Sequence, residues 1–282
     1  MARHPYPSDL TDREWRILEP LVPLAKQGGR PRKHPLRDIL DAIFYVDRSG
    51  CSWRMLPHEF PPWKTVYHYF RQFRLDGTWK RMQDELRRMA RMAAGRSPEP
   101  TAAILDSQSI RTSQRGGPRG YDGAKKISGR KRHLLVDTLG LPLLIKVLPA
   151  NISDRDGGED VLLEAKQAIP PLRHLFVDQG YRGQWVKWVE GEVGWTVEVV
   201  ARPRKIRGIW WPKDQPLPDW YFEALEEQKK FKVIPRRWVV ERSFAWYSFH
   251  RRLVRDYEFL PETTEAFLQV AATHLLVRRL AA

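Results

Sequence analysis

Apolar residues recur at helical spacing over the first third of the chain and as short, strand-like runs over much of the rest. Trp15, Leu18 and Leu21 follow Thr11-Asp12-Arg13-Glu14, a capping box in which Thr11 caps the helix and Glu14 reaches back. Pro35 starts a second helix, striped by Leu36, Ile39, Leu40, Ile43 and Phe44. Ser49-Gly50-Cys51-Ser52 reads as a turn. After Pro61-Pro62, a third helix turns Trp63, Val66, Tyr67, Phe70 and Phe73 to one side and Lys64, His68, Arg71 and Arg74 to the other. A short turn between an apolar helix and a basic-faced one is the outline of a helix-turn-helix, although ordinary solvated helices also carry basic faces. Thr78 caps a fourth helix through Trp79, Met82, Leu86 and Met89. Gly95-Arg96-Ser97-Pro98-Glu99-Pro100 breaks the pattern as a linker, separating a helical domain over 1–95 from a second domain over 101–282.

Beyond the linker, Thr101-Ala102-Ala103-Ile104-Leu105 predicts a strand that ends at Asp106. The segment Arg111 to Arg132 is basic, and Gly116, Gly117, Gly120 and Gly123 make it mobile and able to approach a phosphate backbone. His133–Val136 and Leu143–Leu148 flank Asp137-Thr138-Leu139-Gly140 as a hairpin. Asp154 and Asp156 open an amphipathic helix with Val161, Leu162, Ala165 and Ile169. A second apolar strand, residues 172–177, ends at Asp178, and a third spans 195–200 before the basic run Arg202, Arg204, Lys205 and Arg207. Near the C-terminus, Trp238–Trp246 forms an aromatic helix with Glu241 in its middle, and Pro261 opens a last helix. An ionised Glu on an apolar face needs compensation, and Arg237, four residues earlier, shares its face.

Charge adds the next constraint. Lys and Arg number 49 against 34 Asp and Glu, a net +15 that points to a polyanionic partner, nucleic acid first. The apolar content of 42% and 12 Trp indicate a folded chain. No apolar run reaches the length of a membrane span, and Met1–Pro7 lacks the apolar core of a signal peptide, so a cytoplasmic protein is expected. The single cysteine, Cys51, excludes an internal disulfide and a cysteine-built zinc cage.

Carboxylates at the ends of two strands and on a late helix suggest a shared site, because ligands of open sheets collect beyond the carboxyl ends of strands. Asp106, Asp178 and Glu241 together suit Mg²⁺ or Mn²⁺, and two such ions serve in-line phosphoryl displacement. Each acid also has a plainer explanation: Asp106 as a solvated strand end, Asp178 as a helix cap, Glu241 as the partner of Arg237. For DNA phosphates the basic residues favoured are Lys64, His68 and Arg71 in the helical region and Lys125, Lys126, Arg130, Lys131 and Arg132 in the second. Arg237 either orients Glu241 or touches phosphate. Trp210, Trp211 and Trp220 are either a base-stacking group or a small local core.

Several segments in order resemble one family. They are Ile104–Ser109, Gly120–Lys126, Gly129–Gly140, Asp178-Gln179-Gly180-Tyr181-Arg182-Gly183 and Arg236–Arg242. Together they resemble bacterial insertion-sequence transposases of the DDE type, most closely those of the fifth insertion-sequence family. The resemblance implies a ribonuclease-H-like catalytic domain, an α/β mixed sheet with flanking helices, preceded by a small all-α helix-turn-helix-like domain. It implies Asp106, Asp178 and Glu241 as metal-binding catalytic residues, with Mg²⁺ or Mn²⁺, two ions. It further implies binding of terminal inverted repeats, cleavage of the element's ends and joining of the 3′-hydroxyl to target DNA. A nucleoid-associated homo-oligomer on paired ends and no membrane association are expected with it. A silent DNA-binding descendant or a general ribonuclease-H-like nuclease are the other readings. The chain departs from the family's pattern around the Glu: Ile234 stands where Tyr is usual, and Ser248 and Phe249 stand where basic residues are usual. Arg251 or Arg252 is the nearest replacement.

Overall fold

The computed structural model describes residues 3–24, 28, 32–200, 211–212, 214–229 and 235–282. Four helices come first: α1 (Asp12–Leu18), α2 (Leu36–Ser49), α3 (Trp63–Leu75) and α4 (Thr78–Ala93). The Thr11–Glu14 capping box forms as its sequence predicts, and Pro35 precedes α2 as its N-cap. Thr78 differs from expectation: Gly77, in the left-handed conformation, caps α4, and the Thr78 hydroxyl instead donates to Asp76 at 2.6 Å. Residues 50–62 between α2 and α3 include a 3₁₀ turn over Trp53–Met55, so the connection is longer than a tight turn.

The second region runs β1 (Ala102–Arg111), β2 (Gly120–Asp122), β3 (Ile127–Asp137), β4 (Pro142–Pro149), α5 (Asp154–Ala168), β5 (His174–Val177), α6 (Gln184–Trp188) and β6 (Thr196–Val199). Helices α7 (Asp219–Lys229), α8 (Pro235–Ser248), α9 (Arg251–Val254) and α10 (Pro261–Ala281) complete it. Strands β3 and β1 are antiparallel, β5 and β6 continue parallel to β1, and β2 and β4 share the outer edge of β3. This order, β4-β3-β1-β5-β6 with helices on both faces, is the mixed α/β, ribonuclease-H-like sheet.

Side chains alternate across the sheet and divide its core in two. Ala103, Leu105, Leu135, Leu175 and Val177 face α5 and α6. Ile104, Leu134, Val136 and Phe176 face the other way, into a core that also holds Val240 of α8, Phe267 of α10 and the α1–α4 residues Leu18, Phe44, Phe70 and Trp79. The N-terminal helices thus bury their apolar faces in the same core as the C-terminal helix. Among the described residues, no helix is long and apolar enough to cross a membrane.

The segment expected to be mobile is half strand. Strand β3 starts at Ile127, so Arg130, Lys131 and Arg132 lie inside the sheet and are buried on both faces. Gly129 is required there: a Cβ at this position would come 1.9 Å from the Ile110 carbonyl oxygen of β1.

Candidate active site

Asp106 does not end its strand. β1 runs five residues further, to Arg111, but its pairing with β5 ends at Ile104↔Phe176. Two residues beyond that pair, on the same face as Ile104 and Phe176, come Asp106 and Asp178. Both carboxylates therefore extend the sheet face that α8 covers through Val240. One oxygen of each is held by backbone: Asp106 Oδ1 accepts from Ser107 N–H at 2.8 Å, and Asp178 Oδ1 accepts from Gly180 N–H at 2.8 Å. Burial, opposed by the Ser107 hydrogen bond and reinforced by the Asp178 charge, raises the Asp106 carboxyl to about 6. Arg237 and Lys125 pull in the other direction without offsetting it. Asp106 is short of positive charge.

Glu241 sits differently from what its aromatic neighbours suggest. The buried face of α8 is Val240, Ser243 and Tyr247, whereas the Glu241 side chain is 41% exposed, so no desolvated charge has to be explained. Arg237 Nε donates to Glu241 Oε1 at 2.8 Å, and its Nη2 stands 3.9 Å from Asp178 Oδ2. One guanidinium thereby joins the helix carboxylate to the strand carboxylate. Ile104, Phe176, Val200 and Val240 wall the cleft in which Asp106, Asp178 and Arg237 meet. Among the described residues, no three His, Cys, Asp or Glu side chains are gathered closely enough to hold a metal ion. The donor set fits hard divalent cations in its chemistry, since Asp106 and Asp178 are oxygen ligands side by side and Asp106 lacks a full counter-charge, but Glu241 is turned onto Arg237.

What places α8 is the β3–β4 turn. Asp137 Oδ1 accepts from Leu139 and Leu141 N–H at 2.9 and 2.8 Å, and Asp137 also pairs with Arg91 of α4. The carbonyls of that turn then take α8: Ser243 Oγ donates to Gly140 O at 2.7 Å and Arg242 Nη2 to Leu139 O at 2.8 Å. The turn is legible in the sequence but its role is not; the only signal of it is a small polar residue, Ser243, on an aromatic helix two positions after the Glu.

A second charged group supports the sheet nearby. Lys131 Nζ lies 2.8 Å from Asp154 and 3.9 Å from Asp122, and Asp154 also accepts from Ser107 Oγ at 2.7 Å. Asp154 opens α5 as predicted, and in addition ties that helix to β1 and β3. Tyr181 is buried against Trp185, with the Asp106, Asp154 and Asp178 carboxylates adding to the burial that raises its phenol.

The residues expected to meet DNA separate into two groups. Lys64, His68 and Arg71 all lie on the exposed side of α3, and Lys125 and Lys126 are exposed in the β2–β3 connection. Arg130, Lys131 and Arg132 are corrections, because all three are consumed inside the protein. Arg130 pairs with Asp256 at 3.1 Å, both side chains fully buried, and Lys131 is held by its acids. Arg132 donates to Leu253 O at 2.8 Å, and burial lowers its guanidinium to about 10. Arg252 is likewise spoken for, bonded to Glu258 at 2.6 Å and to Cys51 O at 2.8 Å, which leaves Arg251 as the exposed one of that pair. Trp211 donates to Pro216 O at 3.1 Å and Trp220 is half exposed. Trp210, the run Arg202–Arg207 and Ile234 lie outside the described residues.

Comparison with known proteins bears on the family of the chain. Residues 97–276 match the family described as "Transposase DDE domain", and residues 10–83 match the one described as "Putative transposase of IS4/5 family". A curated relative from Burkholderia cepacia, "Putative transposase for insertion sequence element IS402", is 30% identical over 154 residues. That match covers 55% of this chain and 64% of the relative, so the chain spans a little under two thirds of that protein's length. A solved structure, "Crystal structure of the Mos1 Strand Transfer Complex", aligns with 92% of this chain and 79% of its own at 12% identity, with a TM-score of only 0.23.

Proposed function

Because the chain belongs to the transposase DDE domain family, we propose that it is a DNA transposase that binds the terminal inverted repeats of an insertion sequence, cuts the element's ends and joins the freed 3′-hydroxyl to target DNA. The observation that carries this reading is the placement of Asp106 and Asp178 on one face of adjacent parallel strands, beneath the helix that bears Glu241. In the proposal these three residues are catalytic and hold Mg²⁺ or Mn²⁺. Bound divalent ions supply Lewis-acid stabilisation of the attacking and leaving oxygens of an in-line phosphoryl displacement. In the first step water, giving up a proton, attacks phosphorus, and the departing 3′-oxygen takes up a proton to become the 3′-hydroxyl; in the second step that hydroxyl loses its proton as it attacks a target phosphate, and the displaced target 3′-oxygen gains one.

The chain's own residues organise those steps. The Ser107 and Gly180 N–H groups fix one oxygen of each Asp and leave the other directed to the cleft. Arg237 keeps Glu241 and Asp178 in register on neighbouring elements. The exposed face of α3, with Lys64, His68 and Arg71, is assigned to duplex phosphates, and Lys125 and Lys126 to the strand entering the cleft. The boundary proposed at residues 96–100 divides these tasks, with end binding in 1–95 and catalysis in 101–282. Assembly as a homo-oligomer on paired ends is part of the same proposal.

The test is cleavage of a DNA fragment carrying the repeats that flank the gene. Asp106→Asn, Asp178→Asn and Glu241→Gln are expected to bind it like the parent chain and to leave it intact. Loss of end binding along with cleavage in all three variants would instead make the carboxylates structural.

A further inference from the structure

A surface remote from the cleft combines exposed aromatic rings with uncompensated guanidinium groups. It is built where the end of β1 meets the segment between α9 and α10. Asp256 N–H donates to Arg111 O at 3.0 Å, Ser113 N–H donates to Asp256 O at 2.7 Å, and Arg255 Nη2 donates to Thr112 O at 3.0 Å. On top of this join, Tyr257 is 41% and Phe259 56% exposed, against the usual tendency of such rings to be buried. A Cβ at Gly116 would lie 3.5 Å from the Phe259 ring, so the loop passes directly beside one edge of the ring.

The charges here are arranged in two layers. The inner acids are already neutralised: Asp256 by Arg130 at 3.1 Å and Glu258 by Arg252 at 2.6 Å. The outer cations, Arg111, Arg115 and Arg255, are exposed and form no ion pair among the described residues, although the Arg115 charge also acts through space on Glu258, whose burial still raises its carboxyl. Exposed rings flanked by spare guanidinium groups match the chemistry of an unpaired nucleic-acid strand, whose bases stack and whose phosphates need cations. A second copy of this chain fits poorly, because a two-fold contact would set the same arginines against one another. Arg111 is five residues from Asp106 along β1, about 17 Å at the rise of a strand. A strand leaving the cleft along β1 reaches the patch within a few nucleotides.

We propose that Tyr257 and Phe259, with Arg111, Arg115 and Arg255, form a binding platform for single-stranded DNA. The proposal rests on the nucleic-acid reading above, but not on its carboxylates. Its test is the fluorescence anisotropy of a labelled oligothymidylate, and of a duplex of unrelated sequence, with the full-length protein in EDTA. The Tyr257→Ala, Phe259→Ala double variant is expected to bind the single strand at least tenfold more weakly and the duplex within twofold of the parent chain. Tyr257→Phe, which keeps the ring, should retain the parent affinity. Arg111→Gln and Arg115→Gln should each flatten the log–log salt dependence of single-strand binding by about 0.7. Unchanged single-strand affinity in the double variant, or an equal loss on both DNAs, would overturn the platform. Because no metal is present, that result is separable from a failure of the cleavage reading, which would appear as uncut element ends with single-strand binding intact.

Discussion

Asp106 is held in a cleft where burial and Asp178 both favour its neutral form, up to about 6 from an ordinary 3.8. The native state therefore keeps this proton more tightly than the unfolded chain does, and ionisation works against folding. That penalty is absent below about pH 4, grows between about pH 4 and 6, and is complete above. Asp106→Asn is accordingly expected to raise the melting temperature at pH 7.5, in EDTA, by roughly 2–6 °C, with no gain at pH 4. An equal gain at both pH values would mean that the charge is not the cause. Asp106, Asp178 and Glu241 are legible in the sequence as candidates because ordered motifs surround each one. The environment of Glu241 is not: its Trp and Val neighbours imply burial, yet the helix is rotated so that Val240 and Ser243 face inward. The contacts with the β3–β4 turn, together with the burial of Val240 and Tyr247, fix that rotation.

At the scale of elements, the helices of the first third were readable from caps and apolar stripes, and the hairpin from its Asp137–Gly140 turn. Strand β3 was the failure. Its first residues carry cations that alternate between two buried faces, a pattern with no apolar period to detect. The acids that justify the burial lie mostly far away in sequence, Asp256 for Arg130 and Asp154 for Lys131, with Asp122, nine residues before Lys131, a more distant contact at 3.9 Å. Because Arg130 and Asp256 are both fully buried, Asp256→Ala strands a guanidinium and is expected to cost about 3–5 kcal/mol in urea denaturation. A loss below about 1 kcal/mol would show that solvent reaches the pair. Gly129→Ala, which brings a Cβ against Ile110 O, should likewise weaken the β1–β3 pairing and lower the urea midpoint. Ser243→Ala is expected to reduce cleavage more than stability, since it frees α8 from Gly140 while removing one hydrogen bond. Parent-level cleavage in that variant would remove the turn from the account.

For the whole molecule, the linker composition at 95–100 marks the proposed boundary between two domains, and the apolar faces of α1 to α4 are buried in a core shared with α8, α10 and the sheet. A composition shift marks where the chain changes periodicity; it does not record which faces pack together. The proposed boundary is thus one of task, and calorimetry is expected to show a single unfolding transition. Two well-separated transitions would indicate independent cores. The net charge of +15 finds its outlets on the exposed faces, such as that of α3, whereas Arg130, Lys131 and Arg132 are spent on internal acids and carbonyls. Gel-shift titrations across salt should show a shallower slope for Lys64→Gln and Arg71→Gln, by about one unit each, and no change would assign end binding elsewhere.

The central claim is that Asp106, Asp178 and Glu241 act as one catalytic centre. Its most direct measurement is Mg²⁺-dependent nicking of the element's own ends by the parent chain and by Asp106→Asn, Asp178→Asn and Glu241→Gln. The account predicts nicks at the repeat termini with the parent chain and none with any variant, all four binding the ends alike. Nicking at the parent rate by any one of the three variants would contradict it.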